Sequence, residues 1–181
     1  TLFSFIFAKR NEYQRQALIE LAKTDVLTNI GNRRAFIEEF AIALANTNRQ
    51  LQTTALAIFD IDHFKMINDN YGHEVGDEVL VKITHLIKKN LRPNDRIFRV
   101  GGEEFCLLIQ NTDQQTVENN INRIREILAG TALICAHQVT LSAGVTHVIK
   151  NDTLEACLKR ADDALYTAKN NGRNRVIYTK T

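Results

Sequence analysis

The chain has 181 residues, 44% of them hydrophobic and 24% charged, which is the balance of one soluble globular domain with a proper core. A formal net charge of +2 is too small for a nucleic-acid glove or for a protein held on membrane surfaces by charge. Three cysteines, Cys106, Cys135 and Cys157, are widely spaced among apolar residues, so they read as buried thiols in a reducing compartment, not as disulfides or a metal knot. The opening stretch TLFSFIFAKR is apolar up to Lys9 and Arg10. It is shorter than the about 20 residues a membrane-spanning helix needs. Two readings stay open: the end of such a helix with its basic pair on the cytoplasmic side, or the last element of an upstream soluble domain. Residues 1–23 are therefore read as a connecting segment from an upstream sensor or membrane region, and 24–181 as the domain proper, working in the cytoplasm.

Within the connector, Glu12 to Lys23 carries Ala17, Leu18, Leu21 and Ala22 at helical spacing. Arg34 to Asn46 places Phe36, Ile37, Phe40, Ala41 and Leu44 on one face and predicts an amphipathic helix. TTALAIFDID is a β-rich apolar run ending in acid. Val75 to Asn90 predicts a helix through Val79, Leu80, Ile83 and Ile87, stopped near Pro93. DRIFRVGGEEFCLLIQ reads as strand–turn–strand, Val117 to Leu128 as a third core-facing helix, and QVTLSAGVTHVI as a strand. A last helix is expected from Asp152 as N-cap, with Glu155 three residues on, to Gly172, followed by the short strand RVIY. Strands and helices interleave, but the hairpin in the middle favours an α/β (α+β) fold with a mixed sheet over a purely parallel one.

Acids gather at two places. Asp60 and Asp62 stand where the apolar strand ends, and residues i and i+2 of a strand face the same way. Glu103 and Glu104 follow Gly101 and Gly102 at the hairpin tip. At about 4 Å and an effective dielectric of about 20, each like-charged pair would cost about 4 kcal/mol. A hard cation such as Mg²⁺ removes that penalty, and it is typically held by one or two carboxylates plus phosphate oxygens. Asp60 alone reads equally well as a solvated loop residue or as a ligand; Asp60, Asp62 and the Gly-Gly-Glu-Glu hairpin together point to a metal-assisted site. Gly101 and Gly102, without Cβ, can take positive φ and let a ligand lie against the backbone, and tight-turn geometry is compatible with that role.

GGEEF (101–105), DIDHFKMINDNYGHEVGDEVL (60–80), TDVLTNIGNRR (24–34) and AKNNGRN (168–174) together resemble the GGDEF family of diguanylate cyclases, in the same order and with compatible spacing. The resemblance implies a five-stranded central sheet with surrounding helices, akin to nucleotidyl cyclase and polymerase palm domains. It implies a reaction in which two GTP become cyclic di-GMP and two pyrophosphates. Carried over by position, Asp60, the backbone carbonyl of Ile61 and Glu103 match the metal ligands, for Mg²⁺ or Mn²⁺ at two ions per site. Glu104 falls at the second acid, as a further ligand or as proton acceptor for the 3′-hydroxyl. Asn68 and Asp77 match the positions that read the guanine edge. Phe64, Lys65, Lys169 and Arg173 match phosphate contacts, Lys65 with a share in catalysis, and Gly102 lies against the substrate. A carboxylate such as Asp77 can accept from guanine N1–H and N2–H₂, which adenine cannot supply. Lys169 and Arg173 are i and i+4 across an expected helix end, so both can point at one phosphate chain. His73 reads as a loop hydrogen-bonder.

Arg92 and Asp95, in LRPNDRIFRVGGEEF, form an R-x-x-D where family members carry an inhibitory product site; Arg123 is a further arginine for it. The product is two-fold symmetric, so the resemblance implies a homodimer with sites opposed and the upstream segment setting its geometry. One departure is Asn29-Ile30 where the family commonly has Gly-Leu. Ile is close to Leu in volume, and Asn tolerates left-handed turns. Two other functions fit the same residues: a catalytically silent module sensing cyclic di-GMP or GTP, and a relaxed cyclase making mixed purine dinucleotides. The intact acids and Lys65, Lys169 and Arg173 weigh against the first, Asp77 against the second.

Overall fold

The computed structural model describes Lys9, residues 23–134 and residues 137–180. The expected connecting helix up to Ala22, the opening apolar stretch and Cys135 lie outside the described residues.

The chain runs β1 (Gly31–Asn32), α1 (Arg33–Asn48), β2 (Thr54–Ile61), α2 (Phe64–Tyr71), α3 (His73–Asn90), β3 (Arg96–Arg99), β4 (Glu104–Gln110), α4 (Gln114–Ala129), β5 (Ala132–Ile134), β6 (His137–Gln138), β7 (Leu141–His147), α5 (Leu154–Asn170) and β8 (Val176–Tyr178). One sheet has the order β1-β3-β4-β2-β7-β8. Its two outer pairings, β1 with β3 and β7 with β8, are parallel, and the inner ones are antiparallel. The mixed sheet is thus as the hairpin implied. It has six strands where five were expected, because the two residues of β1 pair along the edge of β3. A separate small hairpin, β5–β6, has no counterpart in the sequence reading, being too short to show alternation.

Strand β2 sits centrally and is buried along its whole length, which is why TALAIFDI reads as an unbroken apolar run. Ala55, Ala57, Phe59 and Ile61 face one layer with Val79 and Ile83 of α3 and Ile121 of α4. Leu56 and Ile58 face the other, with Phe36 and Phe40 of α1 and Ala161 and Leu165 of α5. Phe59 and Phe105, directly opposite in the β2–β4 ladder, stack with centroids 5.2 Å apart. A Cβ on Gly144 of β7 would run into the Ala161 carbonyl, so α5 lies directly on that strand's backbone and ends over the tip of β2.

Local chemistry moves the start of the last helix. Helix α5 is capped by Thr153, whose hydroxyl accepts from Ala156 N at 3.1 Å, and not by Asp152. Asp152 is spent elsewhere: its carboxylate accepts from Ile149 N and pairs with Arg160 at 2.6 Å. The two cysteines described, Cys106 and Cys157, are buried and free, and burial pushes the Cys157 thiol up to about 12. Among the described residues no helix is long and apolar enough to cross a membrane.

Candidate active site

The ladder brings the two acidic motifs together. Asp60, the second-last residue of β2, is directly opposite Glu104, the first of β4, and Ser142 of β7 flanks it on the other side. Cross-strand partners have Cβ atoms about 5 Å apart. The intervening loop is a wide turn closed by Val100 N donating to Glu104 O at 3.0 Å. Arg99 braces it: Nε and Nη2 donate to the Gly102 carbonyl at 3.1 and 2.8 Å, while Nη1 meets Asp25 at 3.1 Å. Neither Gly101 nor Gly102 uses the positive φ open to it, because this brace holds an open loop and not a tight turn; among the described glycines only Gly72 and Gly172 do. A Cβ at Gly101 would press on Glu104, whose exposed carboxylate end would have to move aside. A Cβ at Gly102 would meet nothing within 4 Å, which leaves that stretch of backbone open to a ligand.

The charges at this edge are poorly compensated. Burial holds the Asp60 carboxyl above the usual carboxylate range; Lys169, 3.0 Å away, pulls it down, and Glu104 and Asp62 push it up again. Glu103 is likewise raised, first by burial and then by Asp60 and Glu104, with Lys169 opposing. Asp162, on α5, is raised by burial and by Glu104.

Asp62 does not join this group as a potential ligand. Its Oδ1 accepts from Ser142 Oγ at 2.7 Å, and its Oδ2 from Thr140 Oγ1 at 2.7 Å and Asn174 N at 3.0 Å. With both oxygens taken and 5% exposure, it is a tie between β2, β7 and the loop after α5.

Among the described residues no group of three or more His, Cys, Asp or Glu side chains is close enough to hold a metal alone. Asp60 and Glu103 are two hard, mutually repelling donors, and the Ile61 side chain is in the core, so that residue can offer only its backbone carbonyl. Such a set fits a cation that completes its shell with phosphate oxygens and water, as Mg²⁺ does.

The remaining predicted residues fall into two regions. Phe64 is 5% exposed and packs in the core, so its side chain cannot meet a phosphate; only its backbone N–H at the start of α2 remains for that role. Lys65 beside it is exposed. Asn68 of α2 lies over Gly76 of α3, whose Cβ it would block, and the exposed Asp77 follows directly. Helix α2 itself was not foreseen: His63 enters it with φ +59 and Gly72 leaves it with φ +86. Lys169 is in the last turn of α5, but Arg173 is past the helix end with φ +61, its N–H on Ala168 O. The expected i, i+4 relation is thus broken, and Arg173 is carried by the loop that Asp62 holds.

Arg92 and Asp95 line a hollow of about 660 Å³ that also takes in Thr24, Asn29 and Lys88. Arg92 is exposed. Asp95 is mostly engaged in building the turn, accepting from Arg92 N at 3.1 Å and Gln110 N at 3.4 Å. Arg123 does not line the hollow; its guanidinium donates to Asn90 Oδ1 and Asn90 O, closing the end of α3. Arg99 and Asp25 were not singled out in the sequence. They are 74 positions apart, and no local pattern announces their pairing.

A mixed sheet with an acid-bearing glycine hairpin set against an acidic strand end defines the class of this domain, a mixed α/β fold built around a Gly-Gly-Glu-Glu-Phe site. The family model "Diguanylate cyclase, GGDEF domain" matches residues 22–175, and the chain belongs to that family. It is 40% identical over 173 residues, 94% of its length, to the diguanylate cyclase DgcP of Pseudomonas aeruginosa, of which it covers 25%. The chain thus spans about a quarter of that relative's length. A crystal structure of the coiled coil and GGDEF domain of DgcB from Caulobacter crescentus, in complex with c-di-GMP, superimposes with a TM-score of 0.91 at 31% identity, covering 97% of this chain and 95% of that one. The active GGEEF domain of a diguanylate cyclase from Vibrio cholerae gives a TM-score of 0.77 at 36% identity, covering 83% and 97%.

Proposed function

We propose that this domain is a diguanylate cyclase that condenses two GTP into cyclic di-GMP with release of two pyrophosphates. The observation that carries the reading is the register of Asp60 against Glu104, which sets a buried acid, paired with the partly exposed Lys169, beside the GGEEF turn. Each domain holds one GTP, its guanine edge on Asn68 and Asp77 and its phosphates on Lys65, Arg173 and the backbone at Phe64. Bound Mg²⁺ or Mn²⁺, held by Asp60, Glu103 and the Ile61 carbonyl, supplies charge neutralisation at the phosphates. The 3′-oxygen of one nucleotide forms a bond to the α-phosphorus of the other, the bond to the β-phosphate oxygen breaks, and pyrophosphate leaves. The 3′-hydroxyl proton passes to a carboxylate, a role for which the sequence motif supports Glu104. A second, reciprocal transfer closes the ring.

Two domains must face each other for this, so the working unit is a homodimer set by the upstream segment. Cyclic di-GMP held at Arg92 and Asp95, with Arg123 available should it leave Asn90, supplies product inhibition. The test is chromatography of the nucleotides formed from GTP and Mg²⁺ by a dimerised protein. Cyclic di-GMP and pyrophosphate are expected, with Glu103→Gln abolishing both while the protein stays folded. No turnover even with a strong dimeriser attached would overturn the enzyme reading in favour of a sensor.

A further inference from the structure

Lys169 is expected on the substrate's phosphates, yet its ammonium is on Asp60, Nζ to Oδ2 at 3.0 Å. Asp60 has reason to hold it. The carboxylate is 6% exposed, faces Glu104 across the ladder and has Glu103 and Asp62 nearby. An ionised group buried among like charges requires a counterion. Among the described residues Lys169 is the cation that meets it. The lysine comes from the last turn of α5, which Gly144 lets lie directly on β7, and its side chain is about a third exposed. A point charge on a four-carbon stem with a path to solvent can leave; a forked guanidinium would be harder to detach.

We propose that Lys169 is a stand-in counterion: it neutralises Asp60 until a divalent cation takes that carboxylate, and moves away when nucleotide phosphates offer it another anion. The inference rests on reading Asp60 as a metal ligand and the site as a GTP site. Its consequence is an order of assembly. A metal ion alone must displace the ammonium into water and so binds weakly. With nucleotide present the displaced ammonium has an anion to move to, so metal and nucleotide each strengthen the other's binding, by the same factor in both directions. Arg173 offers the comparison: it carries the same charge on the adjoining loop but makes no ion pair with Asp60.

The experiment titrates Mn²⁺ into the protein without nucleotide, following free Mn²⁺ by electron paramagnetic resonance. Wild type is compared with Lys169→Met, Lys169→Gln, Arg173→Gln and Asp60→Asn. Both Lys169 variants should bind Mn²⁺ about five-fold or more tightly than wild type, with Arg173→Gln within about two-fold of it. In the presence of a GTP analogue that cannot release pyrophosphate, wild type should gain Mn²⁺ affinity and the Lys169 variants should gain less. Unchanged affinity in both Lys169 variants overturns the proposal, and so does an equal rise in Arg173→Gln, which would be a general field effect. If Asp60→Asn leaves Mn²⁺ binding untouched, the metal-site reading itself falls. If Asp60→Asn abolishes binding while the Lys169 variants match wild type, only the counterion role falls.

Discussion

Replacing Arg99 with Ala removes one guanidinium that ties the distant Asp25 to the GGEEF hairpin and braces the hairpin's own Gly102 carbonyl. Nη1 reaches Asp25 at 3.1 Å, and Nε and Nη2 hold the Gly102 carbonyl at 3.1 and 2.8 Å. The Arg99 and Asp25 side chains are 14% and 23% exposed, so the pair is between a surface ion pair and a buried one. That position makes it worth about 1–2 kcal/mol. The bonds to Gly102 are charge-assisted but at the surface, adding about 1 kcal/mol. The variant should lose about 2–3 kcal/mol, a fall in melting temperature of roughly 5–10 °C for a domain of this size. A double-mutant cycle with Asp25→Ala should return a coupling of about 1–2 kcal/mol. The loop freed by the change carries Glu103, and a misplacement of about 1 Å at a reacting group can cost about a hundred-fold in rate. Pyrophosphate release should therefore drop at least about ten-fold at temperatures where the variant is fully folded.

The pH dependence of that variant carries a sign. Burial raises the Asp25 carboxyl, but hydrogen bonds from Thr28 and the Arg99 charge outweigh it and hold it below its ordinary value of 3.8. A depressed folded value adds stability at pH above the unfolded value, and that stability is lost as pH falls through the lowered one. The gap between wild type and Arg99→Ala should be full at neutral pH and narrow as the pH is taken below 3.8. A coupling below about 0.5 kcal/mol, together with turnover within about two-fold of wild type, would refute the brace.

Gly144→Ala should cost about 3 kcal/mol, because the new Cβ meets Ala161 O and Leu165 N, backbone atoms that yield only if α5 moves. An unchanged denaturation midpoint would show that the helix has room the packing denies. The two residues of the R-x-x-D motif should separate. Arg92→Ala should relieve inhibition by cyclic di-GMP without lowering the melting temperature, and an unshifted inhibition curve would remove the second site. Asp95→Ala should in addition cost about 1–2 kcal/mol, since its carboxylate accepts from Arg92 N and Gln110 N; a thermal melt equal to that of Arg92→Ala would contradict this structural role.

What the sequence disclosed follows the range of the interactions involved. Helices α3, α4 and α5 show in their apolar spacing, and β2 shows as an apolar run because it is buried on both faces; α1 shows only in part, since Ile37 and Ala41 of its expected face are exposed while Ala43 is buried. The pieces that escaped are those with too few residues for any period: the two-residue β1, the β5–β6 hairpin and the one short helix, α2. Arg99 with Asp25, and Asp62 with Asn174, escaped because contacts 74 and 112 residues apart leave no mark on local pattern.

Asp60 and Asp62 sharpen the same point. Strand alternation treats them alike, two acids on one face at the end of one strand, yet they meet opposite chemistry. Two hydroxyls and an amide converge on Asp62, satisfy both its oxygens and turn it into a fastener for the loop carrying Arg173. One residue pair back along the ladder, Asp60 meets Glu104 and Ser142 across its neighbouring strands, and a single flexible lysine supplies its charge. Hydrogen-bond donors fixed by backbone and short side chains make a permanent structural tie, whereas a counterion on a long stem can be exchanged. The difference between a carboxylate tied into the structure and one held only by a counterion therefore rests with Thr140, Ser142 and Asn174, 78 to 112 residues further along the chain. Spacing within DIDHFK could mark both acids as candidates, but only the fold separates them.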